Sequence, residues 1–98
     1  MGVERGLKVR ELGGLLSDES VIVVWIEATL EDGDIVYFSL ERARYARDIF
    51  VMLDEDKTVL HVFPLSAVSA GEIFEAALSV IEDVCERKVV NVKFEKSE

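Results

Sequence analysis

The sequence predicts an α+β domain, a mostly antiparallel sheet of about five to six strands with one long amphipathic helix packed on one face. Three observations lead to this prediction. Residues 69–87 carry apolar side chains at helical spacing. Several shorter segments are rich in β-branched and aromatic residues, and acidic or glycine-containing turns separate them. The length of 98 residues fits a single domain, so we assign residues 1–98 to one unit.

The helix over residues 69–87 is predicted from its start as well as from its apolar stripe. Ser69 and Glu72 have the spacing of a capping box, in which each side chain accepts a hydrogen bond from the other residue's backbone N–H. Val68 and Ile73 have the spacing of the accompanying hydrophobic staple. The predicted buried stripe consists of Ile73, Phe74, Ala77, Leu78, Ile81, Val84 and Cys85.

The first hairpin is predicted from residues 21–30 and 35–40, which flank an Asp32-Gly33 turn. A two-residue turn would place Glu31 opposite Asp34, and like charges directly opposed are unfavourable. An odd-length loop instead keeps the apolar side chains on one face, so we predict a loop of about three or five residues. The predicted partners are Leu30 with Val36, Ala28 with Phe38, and Ile26 with Leu40.

Residues 41–53 allow two interpretations. We prefer a helical turn over 41–47 followed by a strand over 48–53, because the second part is β-branched and aromatic. That strand would pair with 58–63, placing Phe50 opposite His61 and Val51 opposite Leu60. The alternative is one continuous helix over 41–53.

The two ends of the chain have weaker patterns. Residues 7–11 alternate apolar and charged side chains, which predicts a short edge strand, and Gly13-Gly14 is expected to break the chain after it. Residues 89–94 alternate in the same way and predict the last strand. Residues 1–6 and 95–98 are expected to be frayed.

Composition excludes several classes of partner. The net charge of −9 opposes binding to nucleic acid and to anionic membrane surfaces, and favours a basic protein partner. The single cysteine, Cys85, fits a reducing compartment, so we expect a cytoplasmic protein. The scarcity of amide side chains, with Asn91 alone, is typical of a thermophilic source.

No residue pattern predicts a catalytic, cofactor-binding or metal-binding site, and we expect no cofactor. His61 lacks neighbouring ligands at metal-site spacing, and Cys85 falls on the apolar side of the helix, so both are interpreted as packed side chains. Asp and Gly are favoured in tight turns, which accounts for the acidic turns at 31–34 and 54–56 without a metal ion. A metal-dependent enzyme or enzyme subunit that uses these carboxylates is kept as a second alternative. Whether the chain is an enzyme stays open, with the balance against it.

The basic cluster of the chain suggests a first alternative function. Arg42, Arg44 and Arg47, with Tyr45 between them, have the composition of an anion-binding site in a small-molecule regulatory domain. The competing interpretation is local ion pairing with Glu41 and Asp48.

The leading hypothesis is a non-catalytic protein-interaction or assembly module. Residues 21–26, 49–53 and 59–63 are apolar at both strand parities, and one helix covers only one face of a sheet. The second face therefore needs a homodimer or another protein partner, unless the N-terminal segment covers it. The residues predicted at this interface are Val23, Trp25, Phe50 and Val62.

Overall fold

The computed structural model describes residues 5–97 and confirms the α+β class: a five-stranded antiparallel sheet with two helices. The first hairpin of the chain lies in the middle of the sheet, and the last strand forms one of its edges. The elements in chain order are α1 (Arg5–Ser17), β1 (Val23–Leu30), β2 (Ile35–Arg42), β3 (Ile49–Leu53), β4 (Val59–Pro64), α2 (Ala70–Cys85) and β5 (Val89–Lys96). The sheet order is β4-β3-β2-β1-β5.

Helix α2 confirms the predicted helix and its cap. The Ser69 hydroxyl accepts from the Glu72 N–H at 3.2 Å, and the Glu72 carboxylate accepts from the Ser69 N–H at 2.8 Å. The helix ends where Glu86 adopts a left-handed conformation with φ of 56°. Val84 departs from the predicted stripe, because it remains 51% exposed in the last turn. The buried residues of the stripe are Ile73, Phe74, Ala77 and Ile81.

The predicted edge strand over 7–11 and the predicted break at Gly13-Gly14 are wrong, because these residues belong to α1. Leu12 and Leu16, one helical turn apart, are buried in the core. Gly13 does not break the helix but lets it approach α2: a Cβ on Gly13 would lie 3.2 Å from the Cβ of Ala70. Both glycines lower the helical signal of the sequence, and tertiary packing overrides it.

The chain ends differ in part from the predicted fraying. Arg5 and Gly6 form the start of α1, while residues 1–4 lie outside the described range. At the other end β5 continues to Lys96, which pairs with Val24 of β1. The predicted strand over 89–94 is therefore confirmed and is longer than predicted, and Glu98 lies outside the described range.

The β1–β2 hairpin has an odd-length loop, as predicted. The Leu30 N–H donates to the Asp34 carbonyl at 2.8 Å, which closes the loop over 31–33, and Gly33 supplies the left-handed residue with φ of 94°. The predicted pairings are wrong by two residues: Ala28 lies opposite Val36. A shift of two residues keeps every side chain on its predicted face, so alternation alone could not distinguish the two registers.

Residues 41–53 follow neither interpretation completely. Strand β2 continues to Arg42 and a non-helical turn follows, so the helical turn over 41–47 and the helix over 41–53 are both wrong. The predicted strand is confirmed as β3. Its pairing with β4 is again displaced by two residues, with Phe50 opposite Phe63 and Val51 opposite Val62.

Both helices lie on the same face of the sheet. The inward side chains of β1 pack with residues of α1 and α2 in one core, and the rings of Phe74 and Phe94 meet edge to face at 6.0 Å. The β1 residues in this core are Val24, Ile26, Ala28 and Leu30. No helix or strand of residues 5–97 covers the opposite face. Neither helix in this range has the length and hydrophobicity of a membrane span.

Candidate functional site

The sheet face turned away from the helices is the candidate site, and we call it the open face. Side chains alternate along each strand, so the strand register determines which residues share this face. Its members are Val23, Trp25, Glu27 and Thr29 of β1, Ile35, Tyr37, Ser39 and Glu41 of β2, Val51 and Leu53 of β3, Val62 of β4, and Asn91, Lys93 and Glu95 of β5.

Trp25 lies near the centre of the open face and is 43% exposed. Its partners across the strands are Glu95 on one side and Ser39 on the other. The Lys57 Nζ lies 5.9 Å from the centre of the indole ring and 2.6 Å from a carboxylate oxygen of Glu41. The indole ring thus already accepts a cation from the chain itself.

An open hollow of about 690 Å³ lies over Trp25 and Tyr37. The β3–β4 turn, which contains Glu55, bounds it on one side, and Lys93 and Glu95 of β5 bound it on the other. Tyr37 is 46% exposed, so aromatic surface and charged side chains are combined in one concave region. Such a combination is typical of ligand and protein recognition sites.

The charges around the hollow leave a negative excess. Lys93 lies 3.9 Å from Glu27, so its charge is already partnered. Lys57 is partnered in the same way by Glu41. Within residues 5–97 no cation lies at salt-bridge distance from Glu55 or Glu95. The hollow therefore offers aromatic faces and two unpaired carboxylates to a ligand.

The structure separates the four predicted interface residues. Trp25 and Val62, which is 48% exposed, lie on the open face, and Val23 lies there partly buried. Phe50 does not, because it points toward the helices and is fully buried. Strand β3 is apolar at both parities, so the sequence pattern could not show which of its residues face the core.

The predicted anion-binding cluster does not converge on one point. Arg42 is buried, and its guanidinium donates to the carbonyls of Val21 at 3.0 Å and Asp18 at 3.0 Å. Arg47 donates to the Glu19 carbonyl at 2.8 Å. The guanidinium groups of these two residues thus already donate to backbone carbonyls where an anion would have to accept. Arg44 and Tyr45 are exposed, and Tyr45 retains 94% of its accessible surface.

A distant arginine holds the first acidic turn, and backbone hydrogen bonds hold the second. Asp32 and Asp34 each lie 2.6 Å from the Arg87 guanidinium, and this contact holds the pKa of Asp32 below its ordinary value. The Asp54 carboxylate accepts from the backbone N–H groups of Asp56 and Thr58, at 2.8 Å and 2.9 Å. The described part of the chain contains no group of His, Cys, Asp and Glu side chains arranged to hold a metal ion.

The His61 side chain is exposed and contacts a neighbouring ring, whereas the Cys85 side chain is partly buried. The His61 ring stacks on Phe63 with 4.4 Å between ring centres, at the edge of the sheet. Cys85 is a partly buried free thiol near the end of α2. Neither lies among the residues that line the hollow.

No family model, curated protein or solved structure matches this chain. Function is therefore inferred from the open face and its surroundings. Sequence reasoning missed two of the residues that shape the hollow, Tyr37 and Lys57. Alternation along β1 and β2 puts Tyr37 on the same face as Trp25 and Glu27, so the sequence contained a usable signal for Tyr37. Lys57 gave none, because its contact with Trp25 depends on how the β3–β4 turn folds over the sheet.

Proposed function

We propose that this chain is a non-catalytic protein-interaction or assembly module that binds a partner protein on its open face. One observation carries the proposal: both helices cover one side of the sheet, while Trp25, Tyr37 and Val62 on the other side remain 43%, 46% and 48% exposed. Grouped exposed apolar and aromatic side chains mark interaction surfaces more often than isolated ones do.

The arrangement of residues on the open face resembles the anatomy of a protein interface. Aromatic side chains near the centre are the residue types that most often contribute binding energy. Charged pairs surround them, Glu27 with Lys93 at 3.9 Å and Glu41 with Lys57 at 2.6 Å. A desolvated centre with a polar rim is the common pattern of specific interfaces.

The charge of the chain favours one kind of partner. The sequence predicted a homodimer or another protein partner, and two copies would each bring a net charge of −9. Like charges slow encounter and oppose association, whereas a basic protein is attracted. We therefore propose a different protein as the partner. A cytoplasmic location belongs to the same proposal, supported by the single free thiol at Cys85.

Site-specific photo-crosslinking in the cells that make the protein tests this function. A photoreactive side chain at Tyr37 probes the open face, and one at Ser79, which is exposed on α2, is the matched control on the opposite layer. We expect a discrete cross-linked product from position 37, lost when Trp25→Glu is added, and none from position 79. Equal products from both positions, or none from position 37, would contradict the proposal.

A further inference from the structure

Part of β2 has a free edge on the side of the open hollow. The strand begins at Ile35, but β3 pairs with it only from Ser39 to Arg42. Beyond Leu53 the chain enters the β3–β4 turn, whose Glu55 and Lys57 line the hollow. The first half of β2 therefore has β1 on one side and no strand of residues 5–97 on the other.

The hydrogen-bond pattern shows which backbone groups point to that free edge. Alternate residues of an antiparallel strand direct their N–H and C=O groups to opposite neighbours. The Arg42 N–H donates to Ile22 at 2.8 Å on the β1 side, and the Ala43 N–H donates to Ile49 at 2.8 Å on the β3 side. Odd-numbered residues of β2 thus face β3. Because β3 pairs with β2 only from Ser39 onward, the outward groups of Ile35 and Tyr37 have no strand partner within residues 5–97.

The other sheet edges carry features that discourage pairing. Strand β5 has Lys93, Glu95 and Lys96 and a register irregularity opposite Thr29 and Leu30. Strand β4 is interrupted by an irregularity and ends at Pro64. Charges, bulges and proline are the usual protections of an edge strand. Residues 35–38 have none of these, so this edge remains competent to pair with an added strand.

The free edge and the hollow meet at Tyr37, whose backbone faces the edge while its side chain lines the hollow. A strand added beside Tyr37 would direct alternate side chains onto the open face. Such a side chain would lie next to the rings of Trp25 and Tyr37 and to the unpaired carboxylates of Glu55 and Glu95. Aromatic faces with nearby carboxylates favour a cation, as the contact of Lys57 with Trp25 already illustrates.

We propose that an extended, basic segment of the partner protein adds to β2 beside Ile35 and Tyr37 and places an arginine or lysine side chain in the hollow. This inference rests on the proposed function and specifies the chemistry of the partner. Backbone hydrogen bonds at the edge supply affinity, and the hollow supplies selectivity for the cation. A second copy of the chain is disfavoured, since each copy carries a net charge of −9.

Defined peptides and the full chain test this mode of binding. The probe is a short acetylated and amidated peptide that alternates arginine with threonine, and Trp25, the single tryptophan, reports binding by its fluorescence. N-methylation of alternate peptide residues blocks either the N–H groups that face β2 or those that face away. We expect one set of methylations to weaken binding by about tenfold or more and the other set to change it by less than about twofold. Replacement of arginine by glutamate should abolish binding.

Variants of the chain provide the complementary test. Ile35→Pro removes an N–H that points only to the free edge, and we expect about tenfold weaker binding of the arginine peptide. Glu55→Gln with Glu95→Gln should weaken binding about fivefold at low salt. The control pair Asp83→Asn and Glu86→Gln makes the same change of charge on α2 and at its C-cap, and it should leave binding unchanged. If Ile35→Pro fails to fold, the two methylated peptides still decide the question.

Two results would overturn the inference. One is that both sets of methylations weaken binding of the arginine peptide equally, or that the glutamate peptide binds as tightly as the arginine peptide. The other is absence of peptide binding. If crosslinking from position 37 still occurs in cells in either case, the proposed function stands with a different occupant. If the crosslink is also absent, both proposals fail.

Discussion

The guanidinium of Arg42 lies over the ring of Phe50, 4.5 Å from its centre. The same group donates to four backbone carbonyls, at distances from 2.5 to 3.3 Å. This arginine therefore connects the end of α1, the start of β1 and the turn before β3. The four acceptors are the carbonyls of Leu16, Asp18, Val21 and Arg47.

Arg42→Met should destabilise the protein because it leaves buried carbonyls without donors. We expect the free energy of unfolding to fall by about 2–4 kcal/mol. The control Arg44→Met, at an exposed position, should change it by less than about 0.5 kcal/mol. Urea denaturation followed by circular dichroism measures both. Similar losses in the two variants would show that Arg42 is not a structural centre.

Gly13 and Gly14 of α1 should respond in opposite ways to alanine. A Cβ at Gly14 meets no atom within 4 Å, so Gly14→Ala should raise the free energy of unfolding by about 0.5–1 kcal/mol through helix propensity. A Cβ at Gly13 would lie 3.2 Å from that of Ala70, so Gly13→Ala should gain less than Gly14→Ala or destabilise the protein. Thermal unfolding of the two variants compares them directly. An equal gain at both positions would contradict the close contact of α1 with α2.

The capping box of α2 should contribute measurably to stability. Ser69→Ala removes the acceptor of the Glu72 N–H, and we expect the free energy of unfolding to fall by about 1 kcal/mol. Ser66→Ala is the matched control, since Ser66 is exposed and outside the helix. Chemical denaturation of both variants should show a loss at position 69 alone.

The contact between Arg87 and Asp32 should make stability depend on pH in the acidic range. The pKa of Asp32 lies below its ordinary value of 3.8, chiefly because of the hydrogen bond from Arg87. A lowered pKa in the folded state means that this contribution is present above the unfolded-state pKa and is lost as the pH falls through the folded-state pKa. Carboxyl NMR titration should show the pKa of Asp32 rising toward its ordinary value in Arg87→Gln, with no comparable rise in Lys88→Gln.

A shift of that pKa has a second observable consequence. As the pH falls below about 4, the free energy of unfolding should decrease less in Arg87→Gln than in the unmodified protein. Denaturant unfolding at several acidic pH values tests this. An unchanged pKa of Asp32 in Arg87→Gln would show that the contact does not persist in solution.

The sequence predicts those parts of the fold that local chemistry determines. The Ser69 cap and the apolar stripe of α2 depend on short-range spacing, so they could be predicted. The strand registers were displaced by two residues, because alternation has a period of two and cannot detect such a shift. Helix α1 was missed because its two glycines imitate a chain break, whereas the reason for Gly13 is a distant neighbour, Ala70.

The candidate site could be predicted only in part for the same reason. The apolar excess suggested that one face would remain uncovered, and the structure places Trp25 and Val62 there. Residue type led to Phe50 at the predicted interface and Arg42 at the predicted anion site, but both side chains are buried in the structure. The free edge beside Tyr37 arises because β3 is shorter than β2, and no local pattern records the relative lengths of two strands.

The claim that the open face is uncovered can be tested by the fluorescence of Trp25 in the isolated protein, with acrylamide as the quencher, from micromolar to millimolar protein. Residues 5–97 leave the open face uncovered, so we expect emission typical of a hydrated indole and efficient quenching at every concentration. Protection that grows with concentration would identify a second copy as the occupant. Emission typical of a buried indole with little quenching at the lowest concentration would contradict the claim, because it would show that the chain covers this face itself.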